Sequence, residues 1–315
     1  MKLDKVCVIG GSGFVGKHIV HLLAAQGKQV RVPTRDRERA KELIVLPTVD
    51  VMPADVHDDA QLATMLEGMD AVINLAGILH ESKPGEFQRT HVELPLRILR
   101  QCQRLGIARF AHMSALNAAV NSRSAYLRSK GEAETALWQE AQAVALTVFR
   151  PSVIFGRGDS FLNLFAKLLK FFPALFLACP KARFQPVFVE DVARVFVDSL
   201  PKLDTFGQSY DLCGPKIYTL RELVRYAAQL TGRHRLIIGL SDKLSYWQAW
   251  GMEFLPVKLM TRDNYYSMQV DSVCGCAFPQ TFGFEPTALE AVAPRYLAGG
   301  GPRGRYRWLR YKARR

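Results

Sequence analysis

The run Gly10-Gly11-Ser12-Gly13-Phe14-Val15-Gly16 has the residue types and spacing to hold a phosphate group. It follows the apolar residues 6–9 and opens a helical pattern, so it reads as strand, tight turn and helix N-terminus. In such a turn Gly10 takes the sharp bend, Gly13 leaves room for a pyrophosphate, and Gly16 lets the helix pack close to the strand. The free N–H groups and positive end of the helix face the phosphates, with Ser12, Phe14 and Val15 in the same contact region. A second group lies further on, where Tyr126-Leu127-Arg128-Ser129-Lys130 puts a phenol and an ammonium one helical turn apart. The ammonium favours the phenolate, which lets a tyrosine donate and accept a proton near neutral pH. Ser114, closing an apolar segment twelve residues earlier, is the third candidate catalytic group. Alone, the glycine run is an ordinary turn and the Tyr–Lys pair a solvated one; their order along one chain gives them weight.

Between these groups lie residues suited to the rest of a nicotinamide dinucleotide. A site for NAD places an acid at the end of the second strand, to hold the ribose 2′-hydroxyl. Here that strand ends Val32-Pro33-Thr34-Arg35, with Arg37 and Arg39 behind it. A cation there can pair with a 2′-phosphate at roughly 1.5–3 kcal/mol, which favours NADP(H) over NAD(H). Asp36 is the competing acid. Asp55 and Val56 follow the third predicted strand, where a carboxylate can accept from the adenine amino group. Leu75, Ala76 and Gly77 follow the fourth, small enough to let the backbone approach the adenosine.

The elements that must position these residues alternate. Strand-like runs at 6–9, 29–32, 49–52, 71–75, 109–113 and 145–149 are separated by helical patterns at 14–26, 37–44, 59–66, 86–105 and 124–142. Such alternation with short connections implies an α/β, Rossmann-like, doubly wound parallel sheet. Pro95 inside the fourth helical pattern kinks it or marks its true start. After residue 149, prolines break the chain into short pieces, which reads as a smaller C-terminal substrate lobe. The organisation is therefore a dinucleotide-binding domain over 1–155, a lobe over 156–298 whose chain can cross back to the sheet, and a basic flexible tail over 299–315.

Of 315 residues 49% are hydrophobic, enough for a sizeable core, and no secretory signal opens the chain. Six cysteines without a CxxC pair or a zinc-spaced histidine cluster read as reduced thiols of a cytoplasmic protein, with no metal site. The formal net charge is +13, and seven Lys/Arg with no acid fall within 302–315, so about half the excess sits in the tail. Such a tail can lie on anionic lipid, contact RNA, which is the weakest reading, or simply be solvated. Residues 161–172 carry an apolar stripe at helical spacing, too interrupted by Lys167, Lys170 and Pro173 to span a bilayer. That stripe is either a core helix lining the cleft or an interfacial helix that admits a lipophilic substrate.

In order, GxxGxxG, Asp55, the Asn74-Leu75-Ala76-Gly77 run and YxxxK resemble an extended short-chain dehydrogenase/reductase, over nearly the whole chain to about residue 298. Within that group the strings at 112–118, 124–130, 153–163, 185–193, 260–264 and 285–292 resemble the NADPH-binding accessory-subunit family of complex I, alpha subcomplex subunit 9, of which this chain looks like a bacterial member. The resemblance implies tight NADP(H) binding, with Lys130 on the ribose, Arg35 near the 2′-phosphate, and Pro151 and Val153 in the strand and loop beside the nicotinamide. It also suggests Asp191 as an N-cap. It does not by itself imply turnover: the place two residues beyond Ser114, where extended enzymes often carry a substrate-polarising hydroxyl, is Leu116. Two functions follow. One is a nucleotide-binding protein with a structural or redox-sensing role, peripheral on the inner face of a membrane and attached to a respiratory complex. The other is an oxidoreductase or epimerase/dehydratase that uses Tyr126 and Lys130 on a quinone, a sugar nucleotide or another carbonyl substrate.

Overall fold

A computed structural model describes residues 3–233, 235–255 and 259–298; the basic tail expected over 299–315 lies outside them. The strands β1 (Lys5–Ile9), β2 (Gln29–Thr34), β3 (Val49–Pro53), β4 (Ala71–Asn74), β5 (Arg109–Met113) and β6 (Ala145–Pro151) join a later strand, Gln208–Leu212, in one seven-stranded sheet. Every neighbouring pair is parallel, in the order Gln208–Leu212, β6, β5, β4, β1, β2, β3. Parallel strands buried on both faces read as continuous apolar runs, and all four residues of β4 and all but Lys5 of β1 are buried. The order reverses between β1 and β4, the switch point where open α/β sheets bind ligands.

Helices α1 (Phe14–Ala25), α2 (Lys41–Ile44), α3 (Asp59–Leu66), α4 (Leu94–Leu105) and α5 (Ala125–Glu140) connect the strands. The Val189–Ser199 helix packs on α1, while α3, α4 and α5 pack side by side, so both faces are covered. Leu62, Leu66, Ile98, Leu99 and Leu137 close over Val72, Phe110 and Leu146 on the α3–α5 face. The predicted helix over 86–105 contains a π-helical turn, Gln88–Glu93, and Pro95 stands in the first turn of α4 beyond it. The expected N-cap role of Asp191 is corrected: its helix begins two residues earlier, at Val189, so Asp191 stands in the first turn.

The backbone forms two compact units. Among the described residues, the first comprises 3–151, 189–212 and 279–284; the second comprises 152–188, 213–278 and 285–298. The second unit holds α6 (Leu162–Phe171) and three two-residue to four-residue ladders: Ile154–Phe155 with Val187–Phe188, Ala174–Leu177 with Leu236–Gly239, and Arg183–Phe184 with Tyr218–Thr219. Within the first unit one buried arginine ties the late segment to the sheet. Arg109 on β5 donates to the carbonyls of Ala145 (2.6 Å), Ser199 (3.0 Å) and Leu200 (3.3 Å) and to Thr205 Oγ1 (3.1 Å).

The expectation of six free thiols fails for two of them, since Cys213 and Cys274 are joined by a disulfide across 61 residues of sequence. Gln185 holds both segments: its Nε2 donates to the Gly214 carbonyl (2.7 Å) and its Oε1 accepts from the Cys274 N–H (3.1 Å). Cys7, Cys102, Cys179 and Cys276 remain free. Burial pushes the Cys7 thiol up to about 12, and Cys102 is likewise raised, so these two are unreactive packing residues.

Candidate functional site

The glycine turn is built as its spacing requires. Gly10 has φ +81°, a conformation that side chains rarely adopt. A Cβ at Gly16 falls 2.3 Å from the Gly10 carbonyl oxygen, so any side chain there forces α1 off the turn. Gly13 is the N-cap of α1, which has no side-chain cap and no acid in its first turn. The first N–H groups of α1 are thus open to an anion at the C-terminal end of β1. Phe14 and Val15 begin that helix, and Ser12 Oγ lies 3.4 Å from Thr34 Oγ1 at the end of β2. A Cβ at Gly10 meets the backbone of Leu75 and Ala76 at 3.0 and 3.1 Å, so the turns after β1 and β4 abut at the switch point.

At the end of β2 the two rivals for the ribose differ. Asp36 is engaged: its Oδ1 accepts from the Glu38 N–H at 3.0 Å as a cap, and it pairs with Arg39 at 3.2 Å. Arg35 is exposed. It belongs to a positive field that, after burial and together with Arg89, lowers the His57 pKa, against the opposing charge of Asp55. Asp55 Oδ1 accepts from the His57 N–H (3.1 Å), and the side chain of Val56 packs on the core.

The centre of the site is α5. Ser124 caps it by accepting from the Leu127 N–H at 3.3 Å, which sets Tyr126 and Lys130 on successive turns. Lys130 is buried and donates to the Met113 carbonyl at 3.1 Å; burial lowers its pKa from 10.5 to about 8, with the Glu134 charge opposing. Arg150 on β6 holds Glu134 through both carboxylate oxygens and lies 3.8 Å from Asp211. A Cβ on Gly77 stands 3.5 Å from Lys130 Nζ and 3.6 Å from His91 Nε2, so the turn after β4 rests on both.

His91 was not among the residues that spacing suggested. It lies on the π-helical turn, and its Nε2 accepts from the Ile78 N–H at 3.1 Å, which leaves the proton on Nδ1 for Ser129 Oγ at 2.8 Å. Ser129 in turn donates to the Tyr126 carbonyl at 2.8 Å. Burial and the Lys130 charge keep His91 neutral, far below its usual pKa, and its ring lies edge-on to Tyr126 with centroids 5.5 Å apart. Gly131 was also missed: a Cβ there strikes the Ala119 backbone at 2.5 Å, so only glycine lets α5 press on the turn that follows Ser114.

Ser114 is buried, and its Oγ has no hydrogen-bond partner among the described residues. An orphaned buried hydroxyl near the C-terminal end of β5 fits a polar ligand group. The hydroxyl missing at Leu116 is not supplied by that residue's backbone, whose N–H donates to the Pro151 carbonyl at 3.0 Å. Nearby, Asn117 has φ +64°. Val153 belongs to the second unit, where its carbonyl accepts from the Val187 N–H at 3.0 Å. The fold thus gathers Gly10, Leu75 and Ala76 at one place, and Gly77, Tyr126 and Lys130 at another, around α5. An uncapped helix end, an exposed arginine beyond β2 and a buried lysine beside a tyrosine together fit a dinucleotide and a proton-transfer group.

Comparison with known proteins agrees with this geometry. The chain is 32% identical over 96% of its length to the mouse (Mus musculus) mitochondrial NADH dehydrogenase [ubiquinone] 1 alpha subcomplex subunit 9, and covers 81% of that protein. It is 30% identical to a ceramide reductase of Caulobacter vibrioides, over 75% of this chain and 74% of that one. The crystal structure of gox2253 superposes with a TM-score of 0.73 at 20% identity, covering 96% of this chain and 99% of that one. Residues 6–213 match the NAD dependent epimerase/dehydratase family, and with the turn, sheet order and Tyr–Lys helix found here, the chain belongs to that family.

Proposed function

We propose that the protein binds NADP(H) and holds it in a structural or redox-sensing role at the inner face of a membrane, as a peripheral component of a respiratory complex. The observation that carries the nucleotide part is the open N-terminus of α1 behind Gly10, Gly13 and Gly16. Arg35, exposed where Asp36 is already engaged, supports the 2′-phosphate and hence NADP(H) over NAD(H). Ser12, Phe14 and Val15 would line the pyrophosphate, Asp55, Val56, Leu75, Ala76 and Gly77 the adenosine side, and Pro151 and Val153 the nicotinamide. Lys130 would donate to ribose hydroxyls. The relative of 32% identity is named as a subunit of an NADH dehydrogenase [ubiquinone] subcomplex, which supports attachment to a respiratory complex.

A second reading, an NAD(P)-dependent oxidoreductase or epimerase/dehydratase, is favoured by the Tyr126–Lys130 pair and the orphaned Ser114 Oγ, and by the name of the reductase relative. The nicotinamide would carry hydride when bound. Tyr126 would then move a proton, its phenolate favoured by the Lys130 ammonium, and Ser114 would order the reacting group.

One set of variants separates the readings. Arg35→Ala should weaken NADPH by about one to two decades and leave NADH nearly unchanged, by isothermal titration. Equal losses would overturn the NADP(H) preference. In the binding role Tyr126→Phe leaves nucleotide affinity and thermal stability unchanged, while Lys130→Met lowers the melting temperature measured with NADPH. Substrate-dependent NADPH oxidation that vanishes in Tyr126→Phe establishes the enzymatic reading instead.

A further inference from the structure

The Asp242–Met252 helix of the second unit is turned inside out. Its small residues Ser245 and Ala249 are buried, while Trp247 is 61% exposed, Trp250 40%, and Phe254, one turn on, 73%. The three rings form a continuous ridge, with centroids 5.5 and 5.0 Å apart. The helix is anchored at its back: Ser245 Oγ accepts from the Cys179 N–H at 3.0 Å, and Gln248 Nε2 donates to the Phe176 carbonyl at 2.9 Å.

Phe176 belongs to a second exposed apolar surface, and its carbonyl is the one that Gln248 of this helix holds. It pairs with Ile238 in the parallel ladder, and Leu236 lies two residues earlier, so the three share one face. That face is open, with Leu236 63% and Phe176 55% exposed. Phe171 and Phe172, at the C-terminal end of α6, lead directly into this ladder and are exposed as well. The apolar stripe of 161–172 is half-buried along α6, and its exposed end leads into the ladder.

Lysine dominates the charges in these segments. Lys167, Lys170, Lys181 and Lys243 are exposed and have no ion pair among the described residues. The two acids of the Asp242–Glu253 stretch are already engaged, Asp242 by Tyr265 (2.9 Å) and Gln269 (3.2 Å), Glu253 by Arg262 (2.9 Å). Tryptophan rings flanked by lysines suit a bilayer interface, where the rings reach the acyl boundary and the ammonium groups meet anionic headgroups. A protein interface would instead be depleted in lysine. No helix among the described residues is long and apolar enough to cross a membrane.

We propose that the Trp247–Trp250–Phe254 ridge and the Phe176 ladder face insert into an anionic lipid bilayer. This names the surface for the peripheral placement proposed above and rests on that placement, but not on the nucleotide. The test is co-sedimentation of the full chain with phosphatidylcholine vesicles, with and without phosphatidylglycerol, alongside quenching of tryptophan fluorescence by brominated acyl chains. The expected result is binding to the phosphatidylglycerol vesicles that falls with salt, and quenching that survives Trp138→Phe with Trp308→Phe but not Trp247→Phe with Trp250→Phe and Trp308→Phe. The triple variant Trp247→Ser, Trp250→Ser, Phe254→Ser should lower partitioning at least about tenfold with NADPH affinity unchanged as the check of folding. No binding by the full chain overturns both the surface and the peripheral reading. Binding that the triple variant keeps and deletion of 302–315 removes overturns the surface alone, as does a dimer in solution that the triple variant dissociates.

Discussion

The two units differ in which of their large side chains are buried and which are exposed. In the first, Arg109, His112, Asn74, Thr147 and Lys130 are buried, and most meet backbone carbonyls or one another. In the second, Trp247, Phe254, Phe171 and Phe176 face outward. The first unit needs a few groups held in fixed places, which a parallel sheet with both faces covered provides, since burial locks each side chain by the cost of leaving it unpaired. Short ladders of two to four residue pairs bury little, so the second unit can keep apolar rings for a partner.

The largest test of that contrast is Arg109→Ala. It removes four hydrogen bonds from a fully buried position, so urea unfolding should show a loss of about 3–5 kcal/mol. Burial already lowers the Arg109 pKa to about 10, and carbonyls rather than a carboxylate hold the charge, so the variant strands acceptors. A loss below about 1 kcal/mol would show that the Val189–Leu212 segment does not unfold with the sheet.

Lys130 sharpens the contrast through pH. Its pKa is lowered from 10.5 unfolded to about 8 folded, so between those values the unfolded chain binds more protons and stability rises with pH. Below about 8 the penalty of a buried ammonium is fully present, roughly 3 kcal/mol at 1.36 kcal/mol per pKa unit. Without nucleotide, the wild type should gain stability relative to Lys130→Met as the pH goes from 8 to 10.5. Parallel pH curves for the two proteins would place the lysine in contact with water.

The smallest effect belongs to the second unit, where Trp247→Ser should change stability by no more than about 0.5 kcal/mol, because the ring is open to solvent in the free protein. A loss of about 2 kcal/mol would mean that the ring packs on protein, and the ridge would no longer be a free surface.

Much of the first unit was legible in the residues. Residues 6–9 and 71–73 are apolar runs of the kind a sheet covered on both faces accommodates, and Gly10 and Gly16 have the conformations or contacts their spacing predicted. The four-residue interval placed Tyr126 and Lys130 on successive turns of one helix. His91 was not legible, because a histidine in a helical pattern carries no sign that a π-helical turn will aim it at Ile78 and Ser129. Nor was the ridge, since Trp247 and Trp250 at helical spacing look the same whether the helix faces a core or a bilayer.

By itself the sequence determined what local spacing controls: the order of strands and helices, the glycine turn, the Tyr–Lys interval, and an arginine where an acid usually stands. Those depend on residues within a few positions of each other, through dihedral preference, capping and periodicity. Only the tertiary structure decided which distant groups meet. Cys213 meets Cys274 beside a Gln185 hydrogen-bonded to both segments, Arg109 reaches carbonyls some 90 residues away, and Gly77 rests on Lys130 and His91. Such pairs are selected by the packing of whole elements, a long-range outcome that no local window of residues contains.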